Sequence, residues 1–98
     1  MNAISKSSVI AVVKDQVSCD LAGEAAILDL KSGQYYGLNP VGARIWNLIQ
    51  EPKSVTEVLH TLLEEYDVES ESCERDLLAV LGELETKGLI EVKNGTPD

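Results

Sequence analysis

The first forty positions show short apolar runs separated by turn-forming residues, a pattern typical of β-strands. A β-branched run predicts a strand over Val9–Val13, and alternating apolar positions predict another over Ala25–Leu30. Gly33 lies in the turn that follows, and the chain returns as a strand over Gln34–Leu38. Val17–Leu21 shows a weaker pattern and would pair with the first strand. The three stronger strands predict a small antiparallel sheet.

The hydrophobic period changes from 2 to 3.6 after the third predicted strand, which indicates α-helices. Asn39 suits an N-cap and Pro40 the first helical position, so a helix begins there and ends near Gln50. Ser54 and Glu57 fit a capping box at the start of a second helix. The side chains predicted to be buried on these two helices are Val41, Ile45, Trp46, Leu48, Ile49, Val55, Val58, Leu59, Leu62, Leu63 and Tyr66.

A third helix is predicted to begin at Ser70 or Ser72. It ends at Gly88, because glycine favours the left-handed backbone that often follows a helix. Leu89–Val92 follows as a short extended segment, compatible with a wing strand. Three helices and a final strand outline a winged helix-turn-helix. The predicted fold class is therefore α+β, with a three-stranded antiparallel sheet packed on three helices.

The length of 98 residues fits one domain with a modest core. We expect this domain to span residues 8–92, with flexible polar tails at 1–7 and 93–98. No apolar run approaches the roughly 18 residues that a membrane-spanning helix needs, and the first residues lack the apolar core of a signal peptide. These features predict a cytoplasmic protein without a membrane partner.

Acidic residues dominate the charge of the chain, with 17 Asp and Glu against 8 Lys and Arg and a net charge of −9. Nine of the acids lie between Glu64 and Lys87, where only two basic residues accompany them. A helix-turn-helix that binds DNA places its recognition helix next to phosphates, and affinity there depends on Lys and Arg. A transcriptional regulator is therefore disfavoured, nucleic acid is not an expected partner, and neutral or basic partners are favoured.

Residues that could carry catalysis or hold a metal are sparse. His60 is the only histidine, and the helical period places it outside the apolar stripe of its helix, as a surface residue. Cys19 and Cys73 show no metal-ligand spacing and are predicted to be buried thiols. The evenly spaced carboxylates indicate a solvated helix face rather than a tuned catalytic pair. We expect neither enzyme activity nor a bound metal or cofactor.

The third predicted strand, Gln34–Leu38, lies at one edge of the expected sheet and contains no Lys, Pro or charged residue. Such residues commonly protect an edge against the addition of a further strand. The unprotected edge therefore indicates a site for a peptide that binds by strand addition. In the alternative interpretation, another protomer or Leu89–Val92 covers this edge.

The stretch from Leu28 to Trp46 carries a spaced pattern of apolar, glycine and aromatic residues. It contains Leu28-Asp29-Leu30, Gly33, Tyr35-Tyr36, Leu38-Asn39, Gly42 and Ile45-Trp46, followed later by Asp76-Leu77-Leu78-Ala79-Val80-Leu81, Leu84 and Gly88-Leu89-Ile90. Over residues 8–92 this pattern resembles PqqD-like proteins. More narrowly, it is similar to the stand-alone leader-recognition proteins of lasso-peptide gene clusters.

The resemblance implies a RiPP recognition element, a domain that binds the leader region of a ribosomally made precursor peptide. In this family the leader adds as an antiparallel strand to the third strand and lies in a cleft beside the third helix. Lasso leaders often carry a Tyr-x-x-Pro pattern, whose side chains enter apolar pockets there. The bound precursor is presented to a leader protease and a macrolactam cyclase. An alternative from the same resemblance is a peptide carrier for a radical SAM enzyme.

The resemblance also implies a peptide-binding site on this chain. Backbone groups of the third strand would pair with the leader, two residues of a neighbouring strand would form the floor, and the third helix would supply a wall. These residues are Tyr35, Tyr36, Gly37 and Leu38 on the strand, Ala26 and Leu28 on the floor, and Cys73, Asp76, Leu77 and Val80 on the helix. In the alternative interpretation, Leu77 and Val80 are core residues, or Leu78 on the opposite margin faces the cleft.

Overall fold

The computed structural model describes residues 4–14, 16–21 and 24–93 of the chain. Each strand and helix that the sequence predicts is present within two residues of its expected bounds, and the short β5 is an addition. In chain order the elements are β1 (Val9–Val12), β2 (Gln16–Leu21), β3 (Glu24–Asp29), β4 (Tyr35–Leu38), α1 (Pro40–Leu48), β5 (Lys53–Ser54), α2 (Val55–Glu65), α3 (Ser70–Thr86) and β6 (Ile90–Lys93).

The described strands form two antiparallel sheets of three strands each. One sheet has the order β2-β3-β4, and the other has the order β5-β1-β6. These sheets and the three helices confirm the α+β class. The expectation that the first strand joins the hairpin of β3 and β4 is wrong, and so is the expectation that Val17–Leu21 pairs with that first strand.

β2 takes the place expected for β1 because it is adjacent to β3 in sequence. Only two residues separate these strands, and the register runs from Gln16 opposite Asp29 to Leu21 opposite Glu24. The shorter β1 pairs with β5 and β6 and places Ile10 in the hydrophobic core. The final strand predicted from the sequence is confirmed as β6, which pairs with β1 in the manner of a wing.

The helices begin and end at the capping residues that the sequence predicts. Asn39 caps α1, where its Oδ1 accepts a hydrogen bond from the Gly42 amide at 2.8 Å. Ser54 and Glu57 form the predicted capping box of α2, with the Glu57 amide donating to Ser54 Oγ at 3.1 Å. The Ser54 amide donates to Glu57 Oε1 at 2.9 Å, and this bond lowers the pKa of Glu57. Gly88 follows α3 with a φ of 74°, as its residue type predicts.

One hydrophobic core joins both sheets to the three helices. Val41 and Tyr66, predicted to be buried, are 42% and 36% exposed because they lie at helix ends beside an open pocket. Cys19, also predicted to be buried, is exposed because it lies on an edge strand. The buried residues of the core are Ile10, Ile27, Ile45, Trp46, Ile49, Val55, Val58, Leu59, Leu62, Leu77, Leu81, Leu84, Leu89 and Ile90.

The segment that precedes β1 contacts the start of α2. The Lys6 carbonyl accepts hydrogen bonds from the Thr56 amide at 3.1 Å and from Thr56 Oγ1 at 2.9 Å. Residues 1–3 and 94–98 of the predicted tails lie outside the described residues. The domain bounds of 8–92 and the flexibility of the tails stay predictions.

Candidate functional site

β4 is an edge strand with one free side. It pairs with β3 from Tyr35 opposite Leu28 to Leu38 opposite Ala25, and no other described strand pairs with it. The final strand of the chain, which is one candidate to cover this edge, belongs to the other sheet. Within the described residues, the side of β4 that faces away from β3 is therefore open to a further strand.

The free side of β4 presents the backbone groups of Tyr35 and Gly37. The Asp29 amide donates to the Gln34 carbonyl at 2.9 Å, so the carbonyl of Gln34 points toward β3. Backbone groups of successive strand residues point to opposite sides, so those of Tyr36 also point toward β3. The N–H and C=O groups of Tyr35 and Gly37 point outward, where an added strand would meet them.

The side chains of β4 divide between two faces of the sheet. Tyr36 lies opposite Ile27, which is fully buried, so Tyr36 and Leu38 share the face that packs on the helices. Tyr35 lies on the outer face and is 73% exposed. The four predicted residues of this strand are therefore adjacent, but only two of their side chains face the core side.

The two predicted floor residues lie on the outer face of the sheet. Ala26 is opposite Gly37 and Leu28 is opposite Tyr35, so their side chains point away from the face that carries Tyr36. Both are partly buried. The structure thus separates Ala26 and Leu28 from the side chains of α3, and their contact with a peptide stays a prediction.

A cleft of about 160 Å³ lies between β4 and the C-terminal half of α3. Small-molecule pockets usually measure about 300–1,000 Å³, so this cleft fits a single peptide side chain better than a cofactor. Of the predicted site it contains three residues of β4 and one of α3. Its lining residues are Tyr36, Gly37, Leu38, Asn39, Gly42, Val80, Glu83, Leu84 and Lys87.

Lys87 and Tyr36 form a polar rim at this cleft. The Lys87 ammonium lies 5.0 Å from the centre of the Tyr36 ring, where the ring quadrupole attracts a cation. The same ammonium lies 3.7 Å from Glu83 Oε2. The Tyr36 hydroxyl donates to Gln34 Oε1 at 3.1 Å, which holds the ring at the rim. A peptide side chain that enters the cleft therefore passes an aromatic ring and a charge pair.

Gly42 permits the close approach of α1 to the end of β4. It is buried, and a Cβ atom there would lie 3.3 Å from Asn39 Oδ1 and 3.4 Å from Leu38 Cβ. These distances are shorter than most side-chain contacts, so a larger residue would displace the cap of α1. The lack of a side chain at this position also leaves the inner end of the cleft open.

A second pocket of about 140 Å³ lies where α1, α2 and α3 meet. Three predicted site residues, Cys73, Asp76 and Leu77, line this pocket and not the cleft beside β4. Leu77 is only 1% exposed, so it is mainly a core residue. The complete lining consists of Val41, Ile45, Leu62, Tyr66, Val68, Ser72, Cys73, Asp76 and Leu77.

The Cys73 thiol has no sign of activation as a nucleophile. Burial raises its pKa, and the nearby Asp76 carboxylate raises it further. Reactive thiols require the opposite shift, toward a lower pKa beside cationic groups. Cys73 is therefore a weakly polar wall of the second pocket.

One face of α3 connects the two pockets. Asp76 and Val80 are four residues apart, so the second pocket and the cleft lie along the same side of the helix. Leu78, the alternative margin, lies on another side, in a shallow depression with Glu71, Glu74 and Arg75. The structure places Val80 at the cleft beside β4 and Leu78 away from it.

Five residues that line the cleft are absent from the site predicted by sequence. Glu83, Leu84 and Lys87 follow Val80 by three, four and seven residues, so the helical period identifies them once Val80 is chosen. In the sequence, Asn39 and Gly42 are associated only with the start of α1, and no spacing rule identifies them as cleft residues. Their place in the cleft depends on how closely α1 approaches β4, which no local pattern shows.

Charged groups are few in both pockets. Glu83 and Lys87 occur in the cleft and Asp76 in the second pocket, while the other lining residues are uncharged. In the described part of the chain, no group of three His, Cys, Asp or Glu side chains is arranged to hold a metal ion. Within the same residues, no helix is both long and apolar enough to cross a membrane.

The chain is similar to proteins of known family and structure. The family model for coenzyme PQQ synthesis protein D (PqqD) matches residues 24–90. A solved structure of TbiB1 in complex with the TbiA(beta) leader peptide is 36% identical, with a TM-score of 0.78, and the match covers 90% of this chain and 99% of that one. A lasso peptide synthetase B1 complexed with the leader peptide is 27% identical, with a TM-score of 0.74 and coverage of 84% and 96%. No curated protein sequence matches.

Proposed function

Since this chain belongs to the PqqD family, we propose that it binds the leader of a ribosomally made precursor peptide, as a RiPP recognition element of a lasso-peptide pathway. The leader adds to β4 as an antiparallel strand and places side chains in the cleft beside α3. The domain of residues 8–92 acts by binding and catalyses no reaction. In the cytoplasm it presents the precursor to the leader protease and the macrolactam cyclase of the pathway.

The observation that carries this proposal is the free edge of β4 directly beside the cleft. Tyr35 and Gly37 offer outward backbone groups, and Tyr36, Leu38 and Val80 line the adjacent wall. Side chains of an added strand would alternate, so that every second one faces the cleft and the others face the outer side near Tyr35. Main-chain hydrogen bonds would then supply affinity, while the cleft would supply sequence preference.

The two similar structures support this function. Each is a complex with a leader peptide, and one of the two proteins is a lasso peptide synthetase B1. The two matches cover 90% and 84% of this chain, and the matched family model spans residues 24–90, which include β4 and α3. This similarity favours leader binding in a lasso-peptide pathway over a role beside a radical SAM enzyme.

Fluorescence polarisation tests the proposal directly. The full chain is titrated into the fluorescein-labelled leader of the precursor that is encoded beside its gene. We expect saturable binding with a Kd between about 1 nM and 10 μM, because strand addition is offset in part by ordering of the peptide. The absence of saturation at about 50 μM would contradict the proposal.

Two proline variants test the edge of β4 against the opposite edge of the same sheet. Gly37→Pro removes an outward N–H at the proposed site, and we expect the Kd to rise at least about tenfold. Ser18→Pro is the matched control, because Ser18 lies opposite Ile27 and its N–H points out of the sheet at the free edge of β2. Its Kd should equal that of the unaltered chain. Tyr36→Pro would be a poor test, since the N–H of Tyr36 points toward β3.

A further inference from the structure

A further cavity of about 230 Å³ lies where the end of α3 meets the turn between β3 and β4. It contains two lysine side chains and is lined by Val13, Asp29, Lys31, Lys87 and Gly88. The proposed function assigns no role to this cavity. We call these five residues the lysine pocket.

The lysine pocket continues the cleft beside β4. Lys87 lines both cavities, and its ammonium lies 5.0 Å from the centre of the Tyr36 ring in the cleft. Asp29 follows the buried Ile27 by two residues on β3, so its side chain lies on the face of the sheet that packs on the helices. The cleft and the lysine pocket therefore share this face of the sheet.

The order of the cavities along α3 gives the direction in which a bound leader meets them. This step rests on the proposed function, in which the leader is antiparallel to β4. Because β4 runs from Tyr35 to Leu38, such a leader runs from Leu38 toward Tyr35. Along α3, Val80 lies in the cleft, and Lys87 lies where the cleft joins the lysine pocket, near the start of β4. The lysine pocket is thus met by leader residues C-terminal to the one in the cleft.

The charge of the lining residues changes sign along this path. Asp76 in the second pocket and Glu83 in the cleft are acidic, whereas the described residues of the lysine pocket carry two ammonium groups against one carboxylate. That carboxylate belongs to Asp29, whose oxygens are bonded within its own turn. Oδ1 accepts from the Lys31 amide at 3.0 Å, and Oδ2 accepts from Ser32 Oγ at 3.0 Å. Positive charge is therefore in excess among these residues.

The Lys87 ammonium has donors to offer to a ligand. Its distance of 3.7 Å to Glu83 Oε2 is longer than a hydrogen bond, and the Glu83 side chain is 72% exposed. An ammonium group has three N–H donors, and hydrogen bonds between ionised groups are stronger than those between neutral groups. A peptide carboxylate can therefore bond to Lys87 while the Tyr36 ring attracts the same ammonium.

We propose that the lysine pocket binds an acidic side chain of the precursor peptide, C-terminal to the leader residue that enters the cleft. Side chains on one face of a strand recur at every second residue, about 7 Å apart, so the added strand brings a later side chain to this pocket. The gain in affinity is modest, because both lysines are exposed and the partial negative charge at the end of α3 opposes an anion. The pocket therefore acts mainly on the register of the leader.

Charge reversal on both partners tests this inference. Each position of the labelled leader is changed in turn to Glu and to Lys, and fluorescence polarisation gives the Kd of every peptide for the full chain. We expect one position at which the Glu peptide binds at least about threefold more tightly than the Lys peptide. Lys31→Glu should reverse the preference at that position. Because Lys31 lines neither the cleft nor the second pocket, this variant should still bind the leader.

Two further variants separate a charge pair from a structural effect. Lys93→Glu is the matched control, since it makes the same change at an exposed position of β6, in the other sheet. It should keep the original preference. Lys31→Gln keeps a polar side chain without the charge and should reduce the preference without reversing it. Thermal unfolding followed by circular dichroism confirms that each variant folds.

The outcomes distinguish this inference from the proposed function. Normal binding of the leader with no position that prefers Glu would overturn the carboxylate site alone. A preference that persists in both Lys31→Glu and Lys31→Gln would also overturn it, as would an equal reversal in Lys93→Glu. Failure of the unaltered chain to bind the leader would remove the proposed function and this inference together.

Discussion

At the scale of single residues, Cys73 shows how surroundings decide what a side chain does. It lies on the α3 face that connects the second pocket to the cleft, a position where a reactive thiol could modify a bound peptide. Burial and the Asp76 carboxylate both raise its pKa, so the thiol form persists to higher pH than in a free cysteine. The residue contributes contact area to the pocket and no chemistry.

We expect iodoacetamide to modify Cys73 more slowly than the exposed Cys19, because only the thiolate reacts. A time course at pH 8 read by mass spectrometry, with Cys19→Ser and Cys73→Ser to assign the signals, measures both rates. Equal modification rates would contradict this view of Cys73.

The raised pKa of Cys73 also makes the stability of the fold depend on pH. The free energy that the protonated thiol contributes to folding is fully present below the pKa of an unfolded cysteine, about 8.5. This contribution is lost as the pH rises through the pKa of Cys73 in the folded chain.

At the scale of elements, the proposed function makes α3 the wall beside which a bound peptide runs. Val80 lies in the cleft with Leu84, while Leu78 lies in the shallow depression on another side of the helix. Val80 and Leu78 are both apolar and partly buried, so what distinguishes them is the side of α3 on which each lies. The proposed function therefore assigns a peptide contact to only one of the two.

Lysine at position 80 should weaken leader binding, and lysine at position 78 should not. Val80→Lys places a flexible charge in the cleft, and we expect the Kd to rise at least about tenfold. Leu78→Lys is the matched control, since it adds the same group two residues away on the same helix. Fluorescence polarisation measures both values, and thermal unfolding followed by circular dichroism confirms that both variants fold. A greater loss of affinity in Leu78→Lys would place the peptide on the other margin of α3.

The helices can be predicted from sequence because their signals are local. Asn39 and Ser54 lie within three residues of the amides that they cap, so the sequence shows where α1 and α2 begin. The pairing of β1 depends on contacts with β6, about eighty residues later in the chain, and no local pattern encodes it. The expected sheet therefore had the right strands at β3 and β4 and the wrong third member.

The site can be predicted from sequence only in part. Alternation along β3 defines two faces, but both are apolar, so it does not show whether Ile27 or Leu28 faces the helices. The alternation therefore does not show that Ala26 and Leu28 lie on the outer face, away from α3, and their contact with a peptide stays a prediction. The long face of α3 likewise joins two separate pockets, so helical spacing alone groups Cys73 with Val80.

At the scale of the whole molecule, the charge of −9 is distributed unevenly around the proposed site. Asp76 lines the second pocket and Glu83 lines the cleft beside Lys87, whereas the described strands of the β2-β3-β4 sheet place only Glu24 on its outer side. Under the proposed function, this distribution would attract a basic peptide toward α3. Such fields affect association rates more than final affinity.

We expect salt to slow the association of a leader that carries Lys or Arg and to change its dissociation little. Raising NaCl from about 0.1 M to 1 M shortens the Debye length from about 10 Å to about 3 Å. Asp76→Asn should reduce this salt dependence, while Glu91→Gln on β6, in the other sheet, should not. Stopped-flow fluorescence measures the rates. An association rate that is independent of salt would contradict the electrostatic role assigned to α3.

Amide hydrogen exchange at β4 tests the central claim most directly. In the free chain the N–H groups of Tyr35 and Gly37 point outward from the sheet, and NMR should find that they exchange quickly. Saturation with the leader should slow both at least about tenfold, while the outward amide of Ser18 on β2 stays fast. If the leader saturates the chain and both β4 amides still exchange at their free rates, the leader does not bind by strand addition to β4.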